Sequence, residues 1–223
     1  MIDEYHNFLK QYSFRDKAIN GVLAHFKEFK SYCFLSATPI PNNLKPAIFN
    51  DIPEYMADWN TTNDITVYPY HTNTPYMVAA KFIKTYQAKG CLNVNGIESK
   101  EAYFFINSVT EIKAILKQTQ LTEDDYRIIC ADNPKNRRTL EGYTISSSAD
   151  APKKFNFITS KSFEGVDFHS ETGLCFVVSN VQNRHTLVSI DMDIPQIVGR
   201  IRTKSNPFRN KVVHIFNTKA TDH

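Results

Sequence analysis

Glycine is scarce in this chain, with seven in 223 residues, and none of the seven is followed by lysine. The pattern GxxxxGK followed by Ser or Thr, whose open amides and lysine cradle nucleotide phosphates, therefore occurs nowhere in these residues. Cysteine is sparse as well. Cys33, Cys91, Cys130 and Cys175 are scattered without CxxC spacing, which points away from a zinc site or a redox pair. Cys33, Cys130 and Cys175 sit in apolar runs and are expected to be reduced core thiols. No apolar run reaches the roughly 18 residues of a membrane span. The start, Met1-Ile2-Asp3-Glu4, is acidic rather than apolar, so no secretory signal is read there and a cytoplasmic protein without membrane contact is expected.

What is present is ordinary globular composition, 42% hydrophobic and 13% aromatic, with a formal net charge of +3. The charge is uneven. Arg200, Arg202, Lys204, Arg209, Lys211 and Lys219 face a single Asp222 after Gln196, and Lys135, Arg137 and Arg138 form a second cluster. Such patches suit phosphate-bearing partners, although charge runs are also what solvated faces look like.

Helical spacing of Phe8, Tyr12, Ile19, Val22, Leu23 and Phe26 predicts a helix over 7–29 with a break near Ser13-Phe14. Tyr32–Leu35 predicts a short buried strand. A Pro-, Asn- and Asp-rich connector follows to Asn63, with Tyr55 and Trp59 expected to pack it down. Beyond it, Thr74 as cap and Pro75 at the first turn open a helix that Gly90 stops. Apolar strands at 65–68, 102–106, 126–131, 155–159, 174–179 and 212–216 alternate with helices at 109–116 and 194–202. Residues 144–154 read as a surface loop. Continuous apolar strands alternating with helices predict an α/β fold: a parallel sheet with helices on both faces.

Four short motifs occur in order: Asp3-Glu4-Tyr5-His6, Ser36-Ala37-Thr38, Thr159 to Asp167 ending Gly165-Val166-Asp167, and Gln196-Ile197-Val198-Gly199-Arg200-Ile201-Arg202. Each is weak alone. Together, each at a fitting kind of element, they resemble the superfamily 2 helicases and translocases of the DEAD/DEAH-like group, over residues 3 to about 217. The resemblance implies a RecA-like, P-loop NTPase-type fold: a complete second helicase domain at 62–223 and a remnant of the first, with linker, at 1–61.

It also implies ATP and Mg²⁺ as cofactors and nucleic acid, DNA or RNA, as partner. Asp3 would hold Mg²⁺ through water, and Glu4 would position the attacking water. Arg200 and Arg202 would supply charge to the transition state. Gly165, Asp167, Gln196 and Gly199 would line the nucleotide. His6, Ser36 and Thr38 would couple nucleotide state to nucleic-acid grip, and Ser108 and Thr159 would meet its backbone. The family's second arginine stands three residues after the first; here Thr203 has that place. Glu164 stands where many DEAD-box RNA helicases have arginine, which favours DNA slightly.

The family's phosphate-binding loop lies upstream of its DExH motif. The expectation is thus a helicase fragment truncated before that motif, with little or no ATPase activity alone, completed by a missing N-terminal half or by a second copy. The alternative is a non-catalytic module that binds nucleic acid or protein. Ser108 is explained equally well as a plain helix cap.

Overall fold

The computed structural model describes residues 1–57, 64–160, 163 and 166–219. The chain forms two compact units, Met1–Thr62 and Asn63–His223.

In the first unit, α1 (Asn7–Lys10) and α2 (Tyr12–His25) are separated at Gln11, and α2 is kinked at Arg15, whose φ is −135°. The helix therefore breaks on either side of the expected position, and a 3₁₀ turn at Phe26–Glu28 ends it. Its core is a small aromatic cluster. Phe34 meets Phe49 and Phe26 edge-on at 5.1 and 5.2 Å, and Tyr5 lies 5.7 Å from Phe49. Such pairs add about 0.5–1.5 kcal/mol each beyond area burial.

The strand expected at Tyr32–Leu35 is reduced to one parallel bridge, Ile2 to Phe34. Tyr32, Cys33 and Leu35 are exposed, so Cys33 is not a core thiol. An apolar run becomes a buried strand only where neighbours cover it, and the described residues supply cover on one side only. Tyr55 is 94% exposed and packs nothing down. Trp59 lies outside the described residues.

The second unit is a six-stranded parallel sheet. Its strands are β1 (Thr66–His71), β4 (Glu101–Phe105), β5 (Tyr126–Ile129), β6 (Phe155–Ile158), β7 (Gly173–Val178) and β8 (Lys211–Phe216). A two-stranded hairpin, β2 (Leu92–Val94) and β3 (Ile97–Ser99), stands apart from it. The order across the large sheet is β1-β8-β7-β4-β6-β5.

Both faces are covered. On one, Ile83 and Tyr86 of α3 (Pro75–Lys89) and Ile112 and Leu116 of α4 (Val109–Thr119) pack on Phe104, Phe157 and Phe176. The Phe104 ring stacks between Phe176 at 4.7 Å and Phe157 at 5.5 Å. On the other face, Ile194, Ile197 and Val198 of α6 (Asp193–Val198) cover Phe105, Ile158 and Val177. The edge strand β1 departs from the apolar pattern: it is largely exposed, and Pro69 removes an edge amide, which blunts unwanted pairing.

Local chemistry explains the helix ends. Gly90 closes α3 in the left-handed region at φ +77°. Thr74 precedes Pro75 but, against expectation, makes no side-chain capping bond. Asn133 caps α5 (Pro134–Thr139), a helix within a stretch that reads only as polar. α6 stops at Val198 instead of running to Arg202, because Ile201 leaves the helix to bridge Phe168. Among the described residues, no helix is long and apolar enough to cross a membrane.

Candidate functional site

In the first unit the DExH and Ser-Ala-Thr segments meet. Ile2 donates its amide to the Cys33 carbonyl and Tyr5 donates to Leu35, which brings His6 beside the strand end at Ser36. His6 is fully buried, and its Nδ1 lies 2.7 Å from Ser36 Oγ and 3.4 Å from Thr38 Oγ1. The Ser36 hydroxyl donates to the Thr38 carbonyl at 2.9 Å and accepts from the Thr38 amide at 3.0 Å. With the Ser36 proton on the Thr38 carbonyl, His6 Nδ1 is the donor to Ser36; with it on His6, Nδ1 is the acceptor.

Asp3 is exposed, and its Oδ1 accepts the Glu4 amide at 2.9 Å. Glu4 takes a left-handed backbone, φ +52°, a conformation that costs an L side chain about 1–2 kcal/mol. Its Oε2 lies 3.2 Å from His6 Nδ1 without hydrogen-bond geometry, and is buried with no bonding partner. A strained backbone and an unsatisfied carboxylate oxygen on one residue are the kind of cost that functional sites carry.

In the second unit, residues 32 to 35 positions apart are joined. Phe168 donates its amide to the Arg200 carbonyl at 2.8 Å, and Arg202 donates to the Phe168 carbonyl at 2.9 Å. That short zipper carries the side chains with it. Asp167 Oδ1 accepts from Arg202 Nε at 2.8 Å and lies 3.7 Å from Arg200 Nη1. The two arginines differ. Arg200 is buried and tied to Gln196, with Nε on the Gln196 carbonyl at 2.9 Å and Nη2 on Gln196 Oε1 at 3.1 Å. Arg202 is about half exposed. At Gly199 a Cβ would stand 3.2 Å from the Pro195 carbonyl, so the residue allows a close turn at the end of α6.

Behind this cluster, the buried Arg127 guanidinium stacks on the Phe168 ring, 5.5 Å from its centroid, and donates to Asn156 Oδ1 at 2.6 Å. Desolvation pushes its pKa down from the ordinary arginine value. Neither Arg127 nor Asn156 stands out in the sequence. A polar residue at matching positions of two otherwise apolar strands is the available signal.

The remaining residues gather at the carboxyl end of the sheet. The connections from β4 and β7, which are neighbours, leave toward opposite faces through α4 and α6. That is the switch point at which open parallel sheets usually bind ligands. Ser108 caps α4, accepting the Glu111 amide at 3.4 Å, and Glu111 places a carboxylate in the same first turn. The cap is therefore real, and the acid already answers the helix dipole. Thr159 is buried, and its Oγ1 lies 3.5 Å from the Ile129 carbonyl. Gly165 and Glu164 lie outside the described residues.

No protein-family model, curated protein or solved structure matches the chain.

Proposed function

We propose that the chain carries the chemistry of a superfamily 2, helicase-like nucleic-acid-dependent ATPase, and that its second unit is the RecA-like domain that grips nucleic acid. The observation that carries the reading is Asp167 held between Arg200 and Arg202. Two motif segments that resemble the family's separately are joined by backbone and side chains. The His6–Ser36–Thr38 network supports it in the same way for the first unit.

Asp3 is the residue that would hold Mg²⁺. One exposed carboxylate fits that ion, which usually keeps its waters and takes one or two carboxylates beside substrate phosphates. The ion, when bound, neutralises phosphate charge. Glu4 would orient a water, with its carboxylate held against His6. Arg202, half exposed and aimed by Asp167, would meet phosphate oxygens, and Arg200 would hold the turn that presents it.

As an isolated chain the ATPase is expected to hydrolyse ATP only slowly, because its 223 residues contain no GxxxxGK loop. A second reading, a non-catalytic nucleic-acid-binding module, draws on that same fact and on the basic segment from Arg200 to Lys211. The discriminating experiment measures phosphate release and anisotropy of a labelled single-stranded oligonucleotide in one sample. Slow but nucleic-acid-stimulated hydrolysis supports the ATPase. Salt-sensitive binding without hydrolysis supports the module. Absence of both refutes the family reading.

A further inference from the structure

We propose that Asn107 is a positioning residue that locks Ser160, just after β6, to the loop after β7, so that these two segments at the carboxyl end of the sheet hold one arrangement. The amide side chain uses both of its ends. Its Oδ1 accepts from the Ser160 hydroxyl at 2.7 Å and from the Ser160 amide at 3.2 Å. Its Nδ2 donates to the His185 carbonyl at 2.6 Å. One residue at the end of β4 thus fastens segments 53 and 78 positions away.

The loop it holds on the β7 side is itself a clasped unit. Thr186 Oγ1 donates to the Asn183 carbonyl at 2.7 Å and accepts the Asn180 amide at 3.0 Å. Asn217 reaches Asn180 Oδ1 at 2.9 Å, and Asn183 donates to the Tyr76 hydroxyl at 3.3 Å. Those bonds shape the loop, and the Asn107 bond fastens its turn at 184–187 in place against Ser160. The geometry also explains the residue type. Asn offers an acceptor with two lone pairs and a donor on one short arm; Asp lacks the donor and Ser lacks the reach.

The functional half of the inference rests on the nucleic-acid reading. Ser160 follows Thr159 at the switch point, and a mobile Ser160 would present Thr159 and its own hydroxyl in many arrangements rather than one.

The test uses the full chain with three variants, read by amide hydrogen exchange and by binding of a labelled single-stranded oligonucleotide. Asn107→Ala is expected to raise exchange at Ser160 and at residues 184–187 together, by tenfold or more, with β4, β6 and β7 unchanged. Asn107→Asp keeps the acceptor and loses the donor, so it is expected to free 184–187 while Ser160 stays protected. Ser160→Ala leaves the backbone bond and is expected to change 184–187 little. Unchanged exchange at either loop in Asn107→Ala, or identical profiles for the Ala and Asp variants, overturns the proposal. In the binding arm, Asn107→Ala is expected to weaken binding at least fivefold. If the unmodified chain binds no oligonucleotide, the nucleic-acid reading fails while the exchange data still decide the role of Asn107. If the unmodified chain binds and Asn107→Ala binds equally well, the functional half is refuted.

Discussion

Replacing Arg200 and Arg202 separately by alanine should give very different losses of stability, although both touch Asp167. Arg200 is buried and makes two charge-assisted bonds to Gln196, at 2.9 and 3.1 Å. Such bonds contribute about 1.5–3 kcal/mol each, and removal also returns the cost of burying the guanidinium, so the net loss should be about 2–4 kcal/mol. Arg202 makes a good bond to Asp167 at 2.8 Å, but both side chains are nearly half exposed. Solvent screens such pairs to about 0.2–1 kcal/mol. Urea unfolding followed by circular dichroism reads the difference directly. With a slope near 2 kcal/mol per M, Arg200→Ala should lower the midpoint by about 1–2 M and Arg202→Ala by no more than about 0.5 M. An equal or larger shift for Arg202→Ala would refute the assignment of Arg200 as the anchor and Arg202 as the presented charge. A double-mutant cycle with Asp167→Ala should return a coupling of about 0.2–1 kcal/mol for the Arg202 pair.

Burial holds the His214 imidazole below its ordinary pKa of 6.5, beside Ser179 Oγ at 3.1 Å. The unfolded chain then binds a proton that the folded chain refuses just below pH 6.5, so stability should fall as pH drops through that window. His214→Gln should flatten that part of the profile of thermal midpoint against pH; an unchanged profile counts against it. At Gly173 a Cβ would stand 2.5 Å from the Tyr103 ring and 2.7 Å from Ser170 Oγ. Gly173→Ala should therefore cost about 1–3 kcal/mol by overpacking. Gly21 lies in α2 with open space around it, and Gly21→Ala should instead stabilise by up to about 1 kcal/mol. Opposite signs in thermal denaturation check the pair.

The strands β4 to β8 are legible because each is a nearly continuous apolar run buried on both faces. Tyr32–Leu35 is as apolar, yet forms one bridge, since composition reports what a segment would bury and not whether neighbours exist to bury it. The β2–β3 hairpin carries its own signal, Asn95-Gly96, with φ of +52° and +84° as a tight hairpin turn requires. It is easily passed over because Leu92–Val94 and Ile97–Ser99 are only three residues each and half polar. The end of α6 is not legible, because it depends on Phe168, a partner 33 positions before Ile201. At the candidate site, Asp167, Arg200 and Arg202 are legible as types with a chemistry. Asn107, Arg127 and Asn156 are not, because each matters through what it touches across the sheet, and contact has no trace in local spacing.

The central claim, a nucleic-acid-gripping second unit, is tested most directly by the salt dependence of oligonucleotide binding. Anisotropy of a labelled single strand should be followed between about 50 and 300 mM salt, where counterion release is readable. If three or more phosphates are neutralised by the basic segment from Arg200 to Lys211, log affinity against log salt should slope at about −2 or steeper. Lys204→Ala, an exposed charge of that segment, should weaken binding and shallow that slope by about 0.7–1. No binding at the lowest salt, or binding indifferent to both salt and Lys204, would contradict the account.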